Sequence, residues 1–468
     1  MQRTNPDWKS VVYCWIVISV VMFFLGCRSQ IEASRADLAA VPSPTNDSQK
    51  VATVNEGDPD SAVAYYGETL TELGLNPNNV SAAELVGSMK LSQVMAHLGY
   101  PGLDLKDVED LPSAELMKRY PGDILSSAFF APKITDVSVK PIVPGWRKLV
   151  RFKAKGEALK KGISAGFLLF NKFQPDLDKD PFGDQSHESE NTQLILIKGE
   201  NSALKYPLYF LVFGRRLAGS KLITFLKASF DARAPNIVSD NRYYVPNACA
   251  ECHGGLAGKP PKPEYERLKL NYLDTDHWFD RIQDDFSDLK KHKCGKNYRC
   301  AVLYDGGNNQ PEFEGAFAVI RQLNHEIEQQ NKTVLPPNSF QWRAVSKWLE
   351  LHETDSRPRD VFARALPPAG SGDPWKADNP TDKKLLPLLS RYCFRCHSSL
   401  KFNIFDKPVV VLERSKILDY MQRAIDDSRK MPQDRNLDCS DDGFTDKRTI
   451  LKLVESFPTP TPAPTPVP

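Results

Sequence analysis

Two pentapeptides in the chain share one pattern, Cys249-Ala250-Glu251-Cys252-His253 and Cys393-Phe394-Arg395-Cys396-His397. In Cys-x-x-Cys-His the two thiols can add to the two vinyl groups of one heme, while the adjacent imidazole sits under the iron as proximal ligand. The spacing thus predicts two covalently bound heme c groups with their iron, one on Cys249, Cys252 and His253, the other on Cys393, Cys396 and His397. Two other chemistries use the same residue types. A zinc site built from the four cysteines would have to join pairs 144 residues apart and leaves the histidine after each pair unexplained. A local disulfide or a thioredoxin-type redox pair calls for a βαβ setting, which neither site has.

After the second pentapeptide the pattern is helical from Val410 through Met421 to Ala424 and then gives Arg429-Lys430-Met431-Pro432. With both pentapeptides and this Met-Pro pair, the chain resembles diheme c-type cytochromes. The Met-Pro pair is similar to the sulfur-ligand loop of class I cytochromes c, and that resemblance implies His397 and Met431 as the axial pair of the second heme. Met421 is the rival, although its helical spacing with Leu418 and Ile425 suits a core position better. A His/Met pair raises the reduction potential relative to His/His.

No methionine occurs between His253 and Met421, so the sixth ligand of the first heme is a histidine, another group or an open position. Four histidines lie between the motifs: His277, His292, His325 and His352. His325 falls opposite the stripe of Phe317, Ile320, Leu323 and Ile327, and His292 sits in a lysine run; both read as solvent-facing. His352 shares the apolar face of Val345, Trp348 and Leu349, which suits a ligand or a core histidine equally. His277 opens a helix 24 residues beyond His253, easy to deliver in sequence, though the wheel turns it away from Trp278, Phe279, Ile282 and Phe286. His277, His352 and an open site all stand.

The ends of the chain concern location. Residues 1–27 have a charged start, an apolar run from Val11 to Gly26 and then Cys27, the layout of a secretory signal. As a helix that run of 16 residues would span about 24 Å, short of a bilayer core of roughly 30 Å. Phe24-Leu25-Gly26-Cys27 resembles a bacterial lipobox, which implies export to the periplasm or cell envelope and a lipid anchor on Cys27. Residues 28–60 read as a flexible tether, and residues 458–468, with six prolines, as an extended tail. In an oxidising compartment Cys294 and Cys300 would close a small loop by a disulfide, with pairing of Cys439 to either as the alternative. Cys14 would leave with the signal.

Between these ends, 468 residues make room for about three domains. Apolar residues recur at helical spacing from about Ala62 to Phe130, with Pro-Gly breaks at 101 and 121. β-rich runs follow, among them Leu149–Phe152 and a hairpin of Leu194–Ile197 with Leu208–Phe213 around Gly199-Glu200-Asn201-Ser202. The expected class is α+β, with an N-terminal helical then β-rich region (61–235) followed by two mainly α-helical cytochrome c-type heme units (236–366 and 367–457). Lys plus Arg (61) nearly cancel Asp plus Glu (59), which gives no electrostatic case for nucleic acid. The expected function is electron transfer with redox partner proteins. Site order is also similar to bacterial diheme cytochrome c peroxidases, which implies the alternative of a peroxidase-like oxidoreductase with a reactive first heme. A heme-based sensor is a third reading. Residues 61–235 carry no nucleophile elbow, phosphate loop or metal-ligand cluster, and their role stays open.

Overall fold

In a computed structural model, the protein is described over residues 58–131, 145–172, 191–214, 220–227, 242–254, 256–257, 262–273, 302–304, 310–335, 339–354, 366, 373–397, 403–423, 437 and 441–458. Helix α1 (Pro59–Glu72) starts on an N-cap, Asp58, whose carboxylate accepts the Ser61 N–H at 2.8 Å, with proline in the first turn. It buries Ala62, Tyr65, Tyr66, Thr69 and Leu70, residues three or four apart along one side. Four short helices follow: α2 (Ala82–Leu85), α3 (Leu91–His97), α4 (Leu105–Asp110) and α5 (Ser113–Arg119). The helical pattern expected as far as Phe130 ends at Arg119, because Ile124–Ala131 is a strand, β1. Ile124, Leu125, Ser126, Ser127 and Ala128 are all buried. A short run buried on both faces has no periodicity to tell strand from helix.

From β1 the chain meanders through β2 (Gly145–Lys153), the one-turn α6 (Gly156–Lys160), β3 (Ile163–Lys172), β4 (Asn191–Lys198) and β5 (Leu208–Gly214), each strand antiparallel to the last. The hairpin expected between the Leu194 and Leu208 runs is the β4–β5 pair, with Leu194 opposite Leu211. A small ribbon, β6 (Phe225–Lys227) with β7 (Arg242–Tyr244), leads to α7 (Asn247–His253); β8 (Leu256–Ala257) then pairs with β9 (Lys262–Pro263). Strand β10 (Val302–Tyr304), beyond the first pentapeptide, returns to pair with the second half of β1, Phe130 facing Val302. The sheet is thus six-stranded and antiparallel in the order β10-β1-β2-β3-β4-β5.

Strand β5 sits at the other edge, yet Leu208 through Phe213 are all buried. Residues 221–223 pair with the end of that edge, the Gly214 N–H donating to the Lys221 carbonyl and the Ile223 N–H to the Val212 carbonyl, both at 2.8 Å. Tyrosines of α1 cover the rest: the Phe210 N–H donates to Tyr65 Oη at 2.9 Å and the Val212 N–H to Tyr66 Oη at 3.2 Å. Tyr66 then donates to the Ile223 carbonyl at 2.9 Å. An exposed apolar edge would invite pairing with another chain, and these phenols occupy it instead.

Helix α8 (Gln310–Asn331) turns into α9 (Phe340–Thr354), and Ser346 Oγ donates to Glu328 between them. On the sheet side, Glu326 of α8 meets Arg151 of β2 at 2.7 Å, with the guanidinium side chain 6% exposed. The rest is helical: α10 (Pro380–His397), α11 (Lys407–Leu412), α12 (Arg414–Gln422) and α13 (Asp441–Glu455). Leu385, Leu386 and Leu389 of α10 are buried with Ile450 and Val454 of α13 in the same core, and Arg391 and Tyr392 both bond Asp446. Mixed α+β architecture is therefore present. Among the described residues no helix is long and apolar enough to cross a membrane.

The Glu326–Arg151 pair has a pH signature. Burial pushes the Glu326 carboxyl above its ordinary range, with Arg151 pulling it back part of the way. The unfolded chain then releases that proton at lower pH than the native chain, so this group's contribution to stability falls as pH rises through the window just above the ordinary glutamate value. Denaturant unfolding across that window, compared with Glu326→Gln, is expected to show the difference shrinking toward higher pH. A flat or rising difference would contradict the assignment.

Candidate heme-attachment sites

Both pentapeptides form the last turn of a helix. The first closes α7, and the chain leaves it through Gly254, whose φ of 81° is the left-handed cap that glycine adopts without strain. Intervals of three and four residues bring positions 249, 252 and 253 to one side of that helical turn. Cys249 is half-buried, beside Tyr65, Tyr66 and Tyr265, whose hydroxyls burial holds above the ordinary tyrosine range. Tyr265 stands edge-on to Tyr206 (85°, 5.7 Å), with Tyr65 6.1 Å away, and donates to Asn247 Oδ1 at 2.5 Å. This cluster fastens the start of α7 to α1 and to the approach to β5.

The imidazole of His253 is held on two sides. Its ring lies 5.0 Å from that of Phe210 in β5. Its Nδ1 is 2.7 Å from the Lys269 carbonyl oxygen, while the His253 carbonyl accepts the Lys269 N–H at 2.9 Å. A carbonyl can only accept, so Nδ1 is the donor in this bond. Metal-bound histidines usually engage their second ring nitrogen with a carbonyl in this way. Burial, with Arg267 adding, pulls the Lys269 ammonium down to about 8.

The second pentapeptide closes α10 in the same way. Cys393 is half-buried, and the His397 carbonyl accepts the Ile404 N–H at 2.9 Å. Asn403 ties the following turn to α9 through Gln341 Oε1 at 2.8 Å, and Phe405 packs edge-on to Phe340 at 6.2 Å. Lys407 pairs with the fully buried Asp382 at 2.7 Å and lies over the Trp375 ring. No known protein family, curated protein or solved structure matches this chain. The chemistry of the two sites therefore has to be argued from their own residues.

The residue types at the first motif fit a covalently held heme, with positions 249, 252 and 253 on one side of a helix end. Among candidate sixth ligands, position 352 is in α9 four residues after Trp348, whose ring meets Tyr272 at 6.3 Å, so that helix runs beside the segment holding Lys269. The side chains of His352, Cys252 and Cys396 lie outside the described residues, as do His277, His292, Met431, Cys27, Cys294, Cys300 and Cys439. Met421, the alternative to Met431, is buried at 3% exposure in the core. His325 is half-buried, and Val345, Trp348 and Leu349 are buried as their stripe implies. Among the described residues no group of three metal-ligating side chains forms a separate metal site.

Supports that residue type alone does not mark are Phe210, the Lys269 carbonyl, and Asn324 and Asn331 of α8, both 1% exposed. The asparagines had a signal, since they fall on the stripe of Ile320, Leu323 and Ile327. A backbone carbonyl has none. Phe210→Ala removes the wall behind the imidazole and is expected to cost about 3 kcal/mol or more in denaturant unfolding. A loss below about 1 kcal/mol would mean that Phe210 does not pack there as described.

Proposed function

We propose that this chain is an exported diheme c-type cytochrome that transfers electrons between redox partner proteins, tethered to the envelope membrane by lipid on Cys27. The reading is carried by His253 at the end of α7, whose Nδ1 meets the Lys269 carbonyl oxygen at 2.7 Å, the contact through which a histidine ligand is usually oriented. A heme bound at each pentapeptide supplies a one-electron couple. Cys249 and Cys252, then Cys393 and Cys396, hold the two groups as thioethers; His253 and His397 are the proximal ligands, and Met431 is the sixth ligand of the second site. The buried Phe210 ring covers one side of the half-buried imidazole.

A second reading has one specific observation in its favour. Because no methionine lies between His253 and Met421, the first site draws its sixth ligand from His277, His352 or none. An open first site would make the chain a peroxidase-like oxidoreductase fed by the second heme.

The purified full-length protein is expected to give a pyridine hemochrome of c type with two hemes per chain, and one heme when Cys249 and Cys252 are both replaced by alanine. One heme or none in the unsubstituted protein sinks the proposal. Both irons are expected to be six-coordinate and low-spin, whereas a high-spin first heme with turnover of peroxide would decide for the second reading. Replacing Met431 by alanine is expected to abolish the weak far-red sulfur-to-iron band of the ferric protein. Its survival would remove Met431 from the ligand set.

A further inference from the structure

The extended segment 268–273 is held by side chains of α8. Asn331 Oδ1 accepts the Leu270 N–H at 2.9 Å and its Nδ2 donates to the Leu270 carbonyl at 2.8 Å. Seven residues earlier, Asn324 makes the same pair of bonds to Leu273, both at 2.7 Å. Asparagine buried this deeply is tolerated when its amide finds partners, and each of these grips one backbone residue.

The two clamps differ in what stands across the peptide. The Leu270 N–H and the Lys269 C=O belong to one planar unit and point in opposite directions. At one edge of that plane the N–H meets Asn331, and at the opposite edge the C=O meets Nδ1 of His253 at 2.7 Å. The sequence Asn331 Oδ1, Leu270 N–H, Lys269 C=O, His253 Nδ1–H is therefore a continuous hydrogen-bonded line. Accepting at one end polarises the peptide and strengthens its carbonyl as an acceptor at the other. It also fixes the plane's rotation and hence the direction in which the imidazole is pulled. Asn324 acts on the peptide that bears the Leu273 N–H, three residues beyond the peptide whose carbonyl meets His253.

We infer that Asn331 is a positioning residue for the first heme site, orienting His253 and raising its basicity through the 269–270 peptide. This rests on the heme reading above. A more basic histidine ligand favours the ferric state, so the clamp holds the first heme's potential down and leaves the second untouched.

The experiment is a spectroelectrochemical titration of the full-length holoprotein, with hemes counted by pyridine hemochrome. Fewer than two hemes in the unsubstituted chain overturns the heme reading itself, before any variant is compared. With two hemes present, Asn331→Ala is expected to shift the first couple upward and leave the second in place. Asn324→Ala is expected to lower the unfolding midpoint to a similar degree while moving the first couple less. If Asn331→Ala leaves the first couple unchanged, or moves both couples together, the asparagine only supports the fold and the inference fails. Should that variant not assemble, Asn331→Asp keeps the acceptor for Leu270 N–H and loses the donor to its carbonyl. With its added negative charge it is expected to leave the first couple at or below the unsubstituted value, and an upward shift would overturn the line of bonds described.

Discussion

A strand at the edge of a sheet that carries only apolar side chains must be covered on both faces and along its free backbone. Leu208 through Phe213 impose that demand here, and much of the molecule answers it. Tyr65 and Tyr66 take the free N–H groups, Gln330 reaches the Pro207 carbonyl at 3.1 Å, and the first pentapeptide lays the His253 ring against Phe210. Strand β5 thus fixes where α1, α7 and α8 can lie. Coverage of an edge and construction of a site come from the same contacts.

Helix α8 carries the second part of that organisation. One side reaches the sheet through Glu326 and Arg151, another faces α9 through Glu328 and Ser346, and a third holds segment 268–273 by its two asparagines. Buried polar groups are costly unless every bond is made, and these are made to backbone, which allows little slack. Position along α8 therefore converts directly into the position of the Lys269 carbonyl. The second pentapeptide lies on a different support, with α10 braced by α13 through Asp446 and the turn after it tied to α9 through Gln341 and Phe340.

What could be read from sequence divides by physical range. Cys-x-x-Cys-His is local, its intervals being those of one helical turn, and both copies end a helix. The β4–β5 hairpin was legible because its two runs flank a short turn. Strand β1 was not, since Ile124–Ala128 is buried on both faces and lacks the alternation that marks a half-exposed strand. Strand β10 was missed because three residues carry no period of their own and pair with β1 only through long-range contact. The same holds for the Lys269 carbonyl, whose role depends on backbone direction and not on residue type.

The late arrival of β10 has an assembly consequence. Residues 130 and 302 face each other across the sheet edge, and contacts so far apart form slowly because a long loop must close before they repay its entropy. Everything from β2 through the first pentapeptide lies inside that loop. The strand therefore works as a clasp: the meander and the turn bearing Cys249 and His253 can take shape while β1 still has a bare side, and β10 shuts it afterward.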